Sequence, residues 1–404
     1  MPSSPVFSKK NPPLDAICAT DAQNKETYLF GGTDGTKYSN TLYRFRANKS
    51  MPDAIIPLNV SPPPRIRHAM TFYGSGILLC GGKSEHNHTL GDIWYYSIRL
   101  NRWERLFPKL SLPICDHSCV CFNHILYLFG CEEKTLSTHS LTWNVITVTA
   151  LNLKTGEVTY PTFRDLPPVA PSRLPIYSYS LENGQFVFAA APCERSSPRC
   201  FLHGNSILLV GGVSLNGETL SDIWSLDIPS QTWELLSPSS PRLNKMIATL
   251  GAAVFLYDEK LVYFGGLQSI FAVFSLQSRE WQLVALAEQA LLHHASFPLF
   301  FDQGTRLVSF GGIRFPVSLK PPPNGRNVRQ RENVGFFDLA PLLDRAKKPA
   351  GSDLPAVLKR PLGEKRPFPR LVLAESDFRG ESDLAEMRQL VGNLPWRDFL
   401  ARIQ

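Results

Sequence analysis

A short apolar run closed by a pair of glycines recurs along this chain, and that repeat constrains the fold more than any other feature. It appears at Tyr28-Leu29-Phe30-Gly31-Gly32, at Leu78-Leu79-Cys80-Gly81-Gly82, and in weaker form at Tyr127-Leu128-Phe129-Gly130-Cys131. It returns at Leu208-Leu209-Val210-Gly211-Gly212, Val262-Tyr263-Phe264-Gly265-Gly266 and Val308-Ser309-Phe310-Gly311-Gly312. The first glycines are spaced by 50, 49, 81, 54 and 46 residues. A period near fifty is the mark of a repeat architecture in which each unit is one small supersecondary structure.

A second element follows at matched distance. Asp92-Ile93-Trp94 leads to Tyr96 with Trp103 seven residues on, and Asp222-Ile223-Trp224 leads to Leu226 with Trp233 seven on. Phe274 precedes Trp281, and Leu151 precedes Val158, by the same seven. Runs of Val, Leu, Ile, Tyr and Phe bounded by Gly, Asn, Asp and Pro read as strands. The glycine pair ends a strand where a side chain would obstruct neighbouring backbone, and the tryptophan supplies an apolar plate between units. A lone four-stranded unit cannot bury both faces, whereas a closed ring can, and it hides most strand edges.

These residues resemble the kelch repeat: a strand, a Gly-Gly, an aromatic and a Trp about seven residues later. The resemblance runs over roughly Asp15 to Leu343. It implies an all-β, six-bladed kelch-type β-propeller with four-stranded blades over residues 14–344, and ring closure by a terminal strand. Residues 1–13 form a tail or the closing strand, through Pro5 to Ser8; Ala356 to Leu358 is the other candidate. The 81-residue step holds a hairpin pattern from Tyr177 to Phe188 around Glu182-Asn183-Gly184. Only 22 residues separate Ala189 from Gly211, too few for a further blade, so residues 171–199 read as an insertion in blade four.

Beyond the repeats the composition shifts. Residues 345–381 read as a basic, Pro-rich linker, and blade six carries a similar loop with Arg314, Lys320, Arg326, Arg329 and Arg331. Such segments suit solvated chain, an acidic partner or a nuclear import signal. Residues 382–404 read as helical. Asp383 caps with Glu386 three residues on, and Trp396, Phe399, Leu400 and Ile403 fall on one face. That stripe suits packing on the propeller or docking into a partner's groove.

No sequence pattern supplies a signal peptide or a membrane-spanning helix, so the eight cysteines are expected to be reduced thiols in the cytosol or nucleus. A net charge of +7 on 404 residues is mild and does not point to nucleic acid. Cys115, Cys119 and Cys121 cluster with His117 and His124 and invite a zinc reading. Aligning His117 with His68 puts Cys119 and Cys121 opposite Met70 and Phe72, so they read as core residues, with no metal. Cys193 and Cys200 read as surface thiols beside a loop. Neither a phosphate loop nor a nucleophile elbow is present, and His293-His294 is a weak metal candidate.

The expected function is therefore an interaction scaffold or adaptor, with no cofactor, that holds a segment of another protein on the loop face. A ubiquitin-ligase substrate adaptor and a cytoskeletal or signalling scaffold are both compatible. No BTB, F-box or cullin-adaptor pattern is read in the chain. A metal-dependent or sugar-acting enzyme on the same ring is the alternative. By the kelch resemblance, the residue about fourteen before the first glycine faces the central pocket: Arg67, Asp116, and positions near Asn244 and His293, with Arg65 on the rim. Lys83, Glu85, His86, Asn216 and Glu218 follow the glycine pairs and form the other loops. A guanidinium at a pocket mouth suits an acidic or carboxylate-bearing segment.

Overall fold

The computed structural model describes residues 15–21, 26–46, 52–130, 146, 148–161, 177–182, 185–214, 219–237, 253–265, 270–285, 289–292, 295–301, 304–310, 313–316, 334–338 and 343. Its architecture is a β-propeller of four-stranded antiparallel blades. Blade one orders β1 (Ile17–Asp21), β2 (Glu26–Phe30), β3 (Leu42–Arg46) and β4 (Asp53–Ile55) from inside to outside. Blade two follows with β5 (Ala69–Tyr73), β6 (Gly76–Cys80), β7 (Ile93–Ser97) and β8 (Arg102–Leu106). Blade three has β9 (Ser118–Phe122), β10 (Ile125–Phe129), β11 (Val148–Asn152) and β12 (Val158–Thr159).

The hairpin expected between residues 171 and 199 is present as β13 (Tyr177–Glu182) and β14 (Gln185–Ala190), which among the described residues pair with each other alone. Blade four comprises β16 (Arg199–His203), β17 (Ser206–Ser214), β18 (Thr219–Asp227) and β19 (Thr232–Ser237), and a short β15 (Arg195–Ser196) also pairs with β17. Blade five comprises β20 (Ala253–Tyr257), β21 (Lys260–Gly265), β22 (Ile270–Ser275) and β23 (Trp281–Ala285).

The expected six blades are corrected to five. The sixth glycine-pair unit gives β24 (Gln289–Leu292), β25 (Ala295–Phe301), β26 (Gly304–Phe310), β27 (Ile313–Pro316) and β28 (Val334–Asp338), but these divide into two sheets. β27, which leaves the glycine pair, turns back onto β24 instead of pairing with β26. β28 takes the place beside β26, so this sheet stops at three strands among the described residues. Its first strand, β25, still packs between β20 and β1. Both candidate closing strands lie outside the described residues, as do the basic linker and the C-terminal segment.

Packing explains the tryptophan spacing. Trp103 of blade two is buried against Phe30 of blade one, ring centroids 5.4 Å apart, in a cluster with Tyr28, Leu42, Ile77 and Tyr96. Trp281 of blade five packs with Val210, Ile223 and Leu236 of blade four, and its indole N–H donates to Ser237 Oγ at 2.9 Å. Each plate thus seals the gap to the preceding blade, and at Trp103 an edge-to-face contact with Phe30 adds to the area removed from water.

The glycine pairs answer to the following blade. The Gly32 N–H donates to the Arg65 carbonyl at 3.1 Å and the Gly82 N–H to the Ile114 carbonyl at 2.8 Å. A Cβ on Gly31 would lie 2.6 Å from that same Arg65 oxygen. Only a residue without a side chain lets two blades approach so closely.

Candidate functional site at the mouth of the axial cavity

The five complete blades surround an axial cavity of about 490 Å³, lined by their innermost strands β1, β5, β9, β16 and β20. The residue two places before each inner strand forms the rim of one mouth. By strand register these are Asp15, Arg67, Asp116 and Ser197 in blades one to four. All four hold left-handed backbone, with φ of 54°, 55°, 53° and 52°. Such a conformation is uncommon for residues with side chains, and its recurrence at one position marks a constraint imposed by the ring.

Three of these rim residues, Arg67, Asp116 and Ser197, are wired together. The Asp116 N–H donates to the Arg67 carbonyl at 3.1 Å, and the Ser197 N–H donates to the Asp116 carbonyl. Above this backbone chain, Arg67 Nη1 lies 3.2 Å from Asp116 Oδ2, and Ser197 Oγ donates to Asp116 Oδ1 at 3.3 Å. The Arg67 side chain is 49% exposed, so much of its guanidinium faces solvent. Backbone bonds between Ile66 and Lys83, at 3.1 and 2.8 Å, bring the loop after the glycine pair to the same face. Glu85 in that loop accepts the Tyr38 N–H of blade one at 2.7 Å, and His86 is exposed beside His88.

The structure thus unites Arg67, Asp116, Lys83, Glu85 and His86 on one face. Arg65 is a correction. Its side chain is fully buried and forms a two-pronged ion pair with Asp92 at 2.7 and 2.8 Å. It also donates to the Pro63 and Gly81 carbonyls, and so is not available on the rim. Burial alone would raise the Asp92 carboxyl. Hydrogen bonds and charge from Arg65, with a bond from the Trp94 indole, hold it below its ordinary range instead.

The same lock recurs in blade four. Arg195 pairs with Asp222 at 2.6 and 3.0 Å and donates to the Cys193 and Gly211 carbonyls, while Trp224 donates to Asp222. The separations are identical: 16 residues from Arg to Gly, 27 from Arg to Asp, and two from Asp to Trp.

The β20–β21 hairpin turns at Asp258-Glu259 without the extension expected from sequence. Asn244, His293, Asn216, Glu218, and the stripe of Trp396, Phe399, Leu400 and Ile403 lie outside the described residues. Asp15 escapes the fourteen-residue offset because the β1–β2 hairpin is two residues longer, whereas Ser197 lies fourteen before Gly211 and was legible by the same rule.

The cavity wall carries Cys18, Cys119, Cys121 and Cys200 with His68 and His117. Cys119 and Cys200 are buried in apolar clusters, so Cys200 is not the surface thiol expected. Among the described residues no group of three or more His, Cys, Asp or Glu is placed to hold a metal ion. Burial, reinforced by the Arg65 charge, keeps His68 well below the usual imidazole range and therefore neutral. Burial likewise pushes the Cys18 and Cys121 thiols up to about 11. We expect iodoacetamide at pH 8 to label these two at least about tenfold more slowly in the native chain than in urea, because the thiolate is the nucleophile. Site-resolved mass spectrometry checks this, and equal rates would show that the wall is open.

The family model described as the KLHDC2/KLHL20/DRC7 Kelch-repeats domain matches residues 3–174. Kelch domain-containing protein 10 from Rattus norvegicus is 32% identical over 117 residues, covering 26% of this chain and 28% of that protein. Kelch-like protein 38 from Homo sapiens is 22% identical over 287 residues, or 69% of this chain and 41% of its own length. The tRNA wybutosine-synthesizing protein 2/3/4 of Oryza sativa subsp. japonica is 28% identical over 144 residues, covering 32% of this chain and 14% of that protein. The alignment with Kelch domain-containing protein 10 thus spans little more than a quarter of that relative's length.

Proposed function

We propose, for this kelch-repeat β-propeller, the role of a protein-interaction module that holds a segment of a partner against the rim of its axial cavity. The observation that carries this reading is the rim itself: four residues at equivalent positions before the inner strands, each on left-handed backbone, with Arg67, Asp116 and Ser197 hydrogen-bonded in series. Loops there vary without disturbing the blades, the usual arrangement for a binding face on a rigid scaffold. The preferred partner chemistry is a carboxylate, from an acidic side chain or a chain terminus. Arg67 contacts Asp116 through one nitrogen, and a planar, permanently charged guanidinium can take a second carboxylate through its free edge.

No cofactor and no chemical step enter this proposal, and a cavity wall with a neutral His68 and protonated Cys18 and Cys121 thiols supports a binding role. The free cysteines among the described residues suit a reducing compartment, which we propose to be the cytosol or nucleus. Whether the module serves a ubiquitin ligase or a scaffold is a question of its partner. The test is quantitative affinity purification with the full chain and Arg67→Ala. At least one captured protein is expected to fall tenfold or more, about 1.4 kcal/mol of binding free energy. Unchanged recovery of every captured protein would remove Arg67 and the carboxylate reading.

A further inference from the structure

Two thiols and an imidazole meet between blades two and three. Cys80 ends β6 just before the glycine pair, and its Sγ lies 3.4 Å from His117 Nε2 across the interface. The Cys119 thiol of β9 is hydrogen-bonded to the Cys80 sulfur. All three groups are buried, and both cysteines are free.

Packing does not call for a thiol here. Strand register puts Phe30, Phe129, Val210 and Phe264 at the place of Cys80 in the other four complete blades. In blade one, Phe30 meets His68, the counterpart of His117, edge-to-face at 5.7 Å. In blade two a sulfur stands where that ring would be. Its surroundings are also electropositive, unlike those of a merely structural cysteine. The hydrogen bond from Cys119, the His117 contact and the Arg65 charge outweigh burial and draw the Cys80 thiol down to about 6. The same bond keeps Cys119 protonated, its thiol held well above the usual range.

We propose that Cys80, His117 and Cys119 form a peroxide-sensitive site, at which hydrogen peroxide joins blades two and three through a Cys80–Cys119 disulfide. His117 Nε2 takes the Cys80 proton, and the Cys80 sulfur attacks one peroxide oxygen. The O–O bond breaks, an S–O bond forms, and the departing hydroxide takes the proton from His117 to give water. The Cys119 sulfur then attacks the Cys80 sulfenic acid. The S–S bond forms, the S–O bond breaks, and the hydroxyl leaves with the Cys119 proton as a second water. Two thiols are oxidised and one peroxide is reduced. His117 Nδ1 has no hydrogen-bond partner among the described residues, so the imidazole lacks the orienting group of a hydrolytic pair. The second thiol beside Cys80 marks oxidation as the chemistry instead. His117 and Cys119 both line the axial cavity, which gives a molecule as small as peroxide its route. This inference is independent of what the rim binds.

The test treats the reduced full chain with a few equivalents of hydrogen peroxide, blocks free thiols with N-ethylmaleimide in urea, and maps the cysteines by mass spectrometry. The first oxidised product is expected to be a Cys80–Cys119 linked peptide in the monomer, returned to thiols by dithiothreitol. In Cys119→Ala, dimedone should instead tag Cys80 as the sulfenic acid. His117→Gln should slow disulfide formation by about tenfold or more. First oxidation at Cys18, Cys121, Cys193 or Cys200, or a bond between two copies, would overturn the proposal. So would an unchanged rate in His117→Gln, or a Cys80 that stays a thiol in both the native chain and Cys119→Ala.

Discussion

Replacing Arg195 with methionine is expected to destabilise the full chain by about 3–5 kcal/mol, the range for removing one partner of a buried ion pair. Arg195 is wholly buried, and its loss leaves the Asp222 carboxylate with little more than the Trp224 indole N–H. It also strips side-chain donors from the Cys193 and Gly211 carbonyls. The pair in isolation is not the source of the effect, since two buried charges cost much of what their attraction returns. The double variant Arg195→Met/Asp222→Leu should therefore recover part of the loss, because no charge is left stranded.

Urea unfolding of all three proteins, compared through midpoint and slope, measures this. A single-variant loss below about 1 kcal/mol would mean that Arg195 is solvated rather than locked. The equivalent pair in blade two adds a pH signature. The Asp92 carboxyl is depressed in the folded state, so its contribution is complete above the unfolded carboxylate pKa of about 4 and is lost as pH falls through the folded value. The urea midpoint should drop below pH 4, and less steeply in Arg65→Met.

The blades were legible because their signals are local and repeated. Short continuous apolar runs, glycine pairs and tryptophans at fixed offsets place the β2, β6, β10, β17 and β21 strands without reference to distant residues. The hairpin β13–β14 was equally plain from its Glu-Asn-Gly turn. The sixth unit was not, because its glycine pair predicts a turn but not which strand the chain will pair with afterwards. β27 joins β24, a choice made by tertiary competition.

At the site, Arg67 and Asp116 are legible through one offset, fourteen residues before the first glycine, because the β5–β6 and β9–β10 hairpins have the same length. Arg65 shows a different limit. An arginine after three prolines reads as surface, and only the paired Asp 27 residues on shows that it is spoken for. The same offset from Arg195 to Asp222 was visible in the sequence and would have moved Arg65 from the rim to the core.

Alanine at Gly81 is expected to cost about 2–5 kcal/mol, while alanine at Gly74, with nearly the same backbone angle, should cost only about 1–2 kcal/mol. Gly81 has φ of +61° and Gly74 of +54°, so the left-handed penalty is shared. They differ in their neighbours. A Cβ at Gly74 meets nothing within 4 Å, whereas one at Gly81 would stand 2.2 Å from the Ile114 carbonyl oxygen and 2.9 Å from His117 Cε1. That carbonyl is already fixed by the Gly82 N–H at 2.8 Å, and His117 is buried between blades two and three. Relief would require the blades to part, which opens the cluster of Leu78, Cys80, Ile114 and Cys119. The difference between the two variants therefore isolates the contact between blades from the intrinsic strain of the turn. Equal losses in urea unfolding would place the need for glycine in the backbone angle alone, and the close approach of successive blades would no longer explain why the pair recurs.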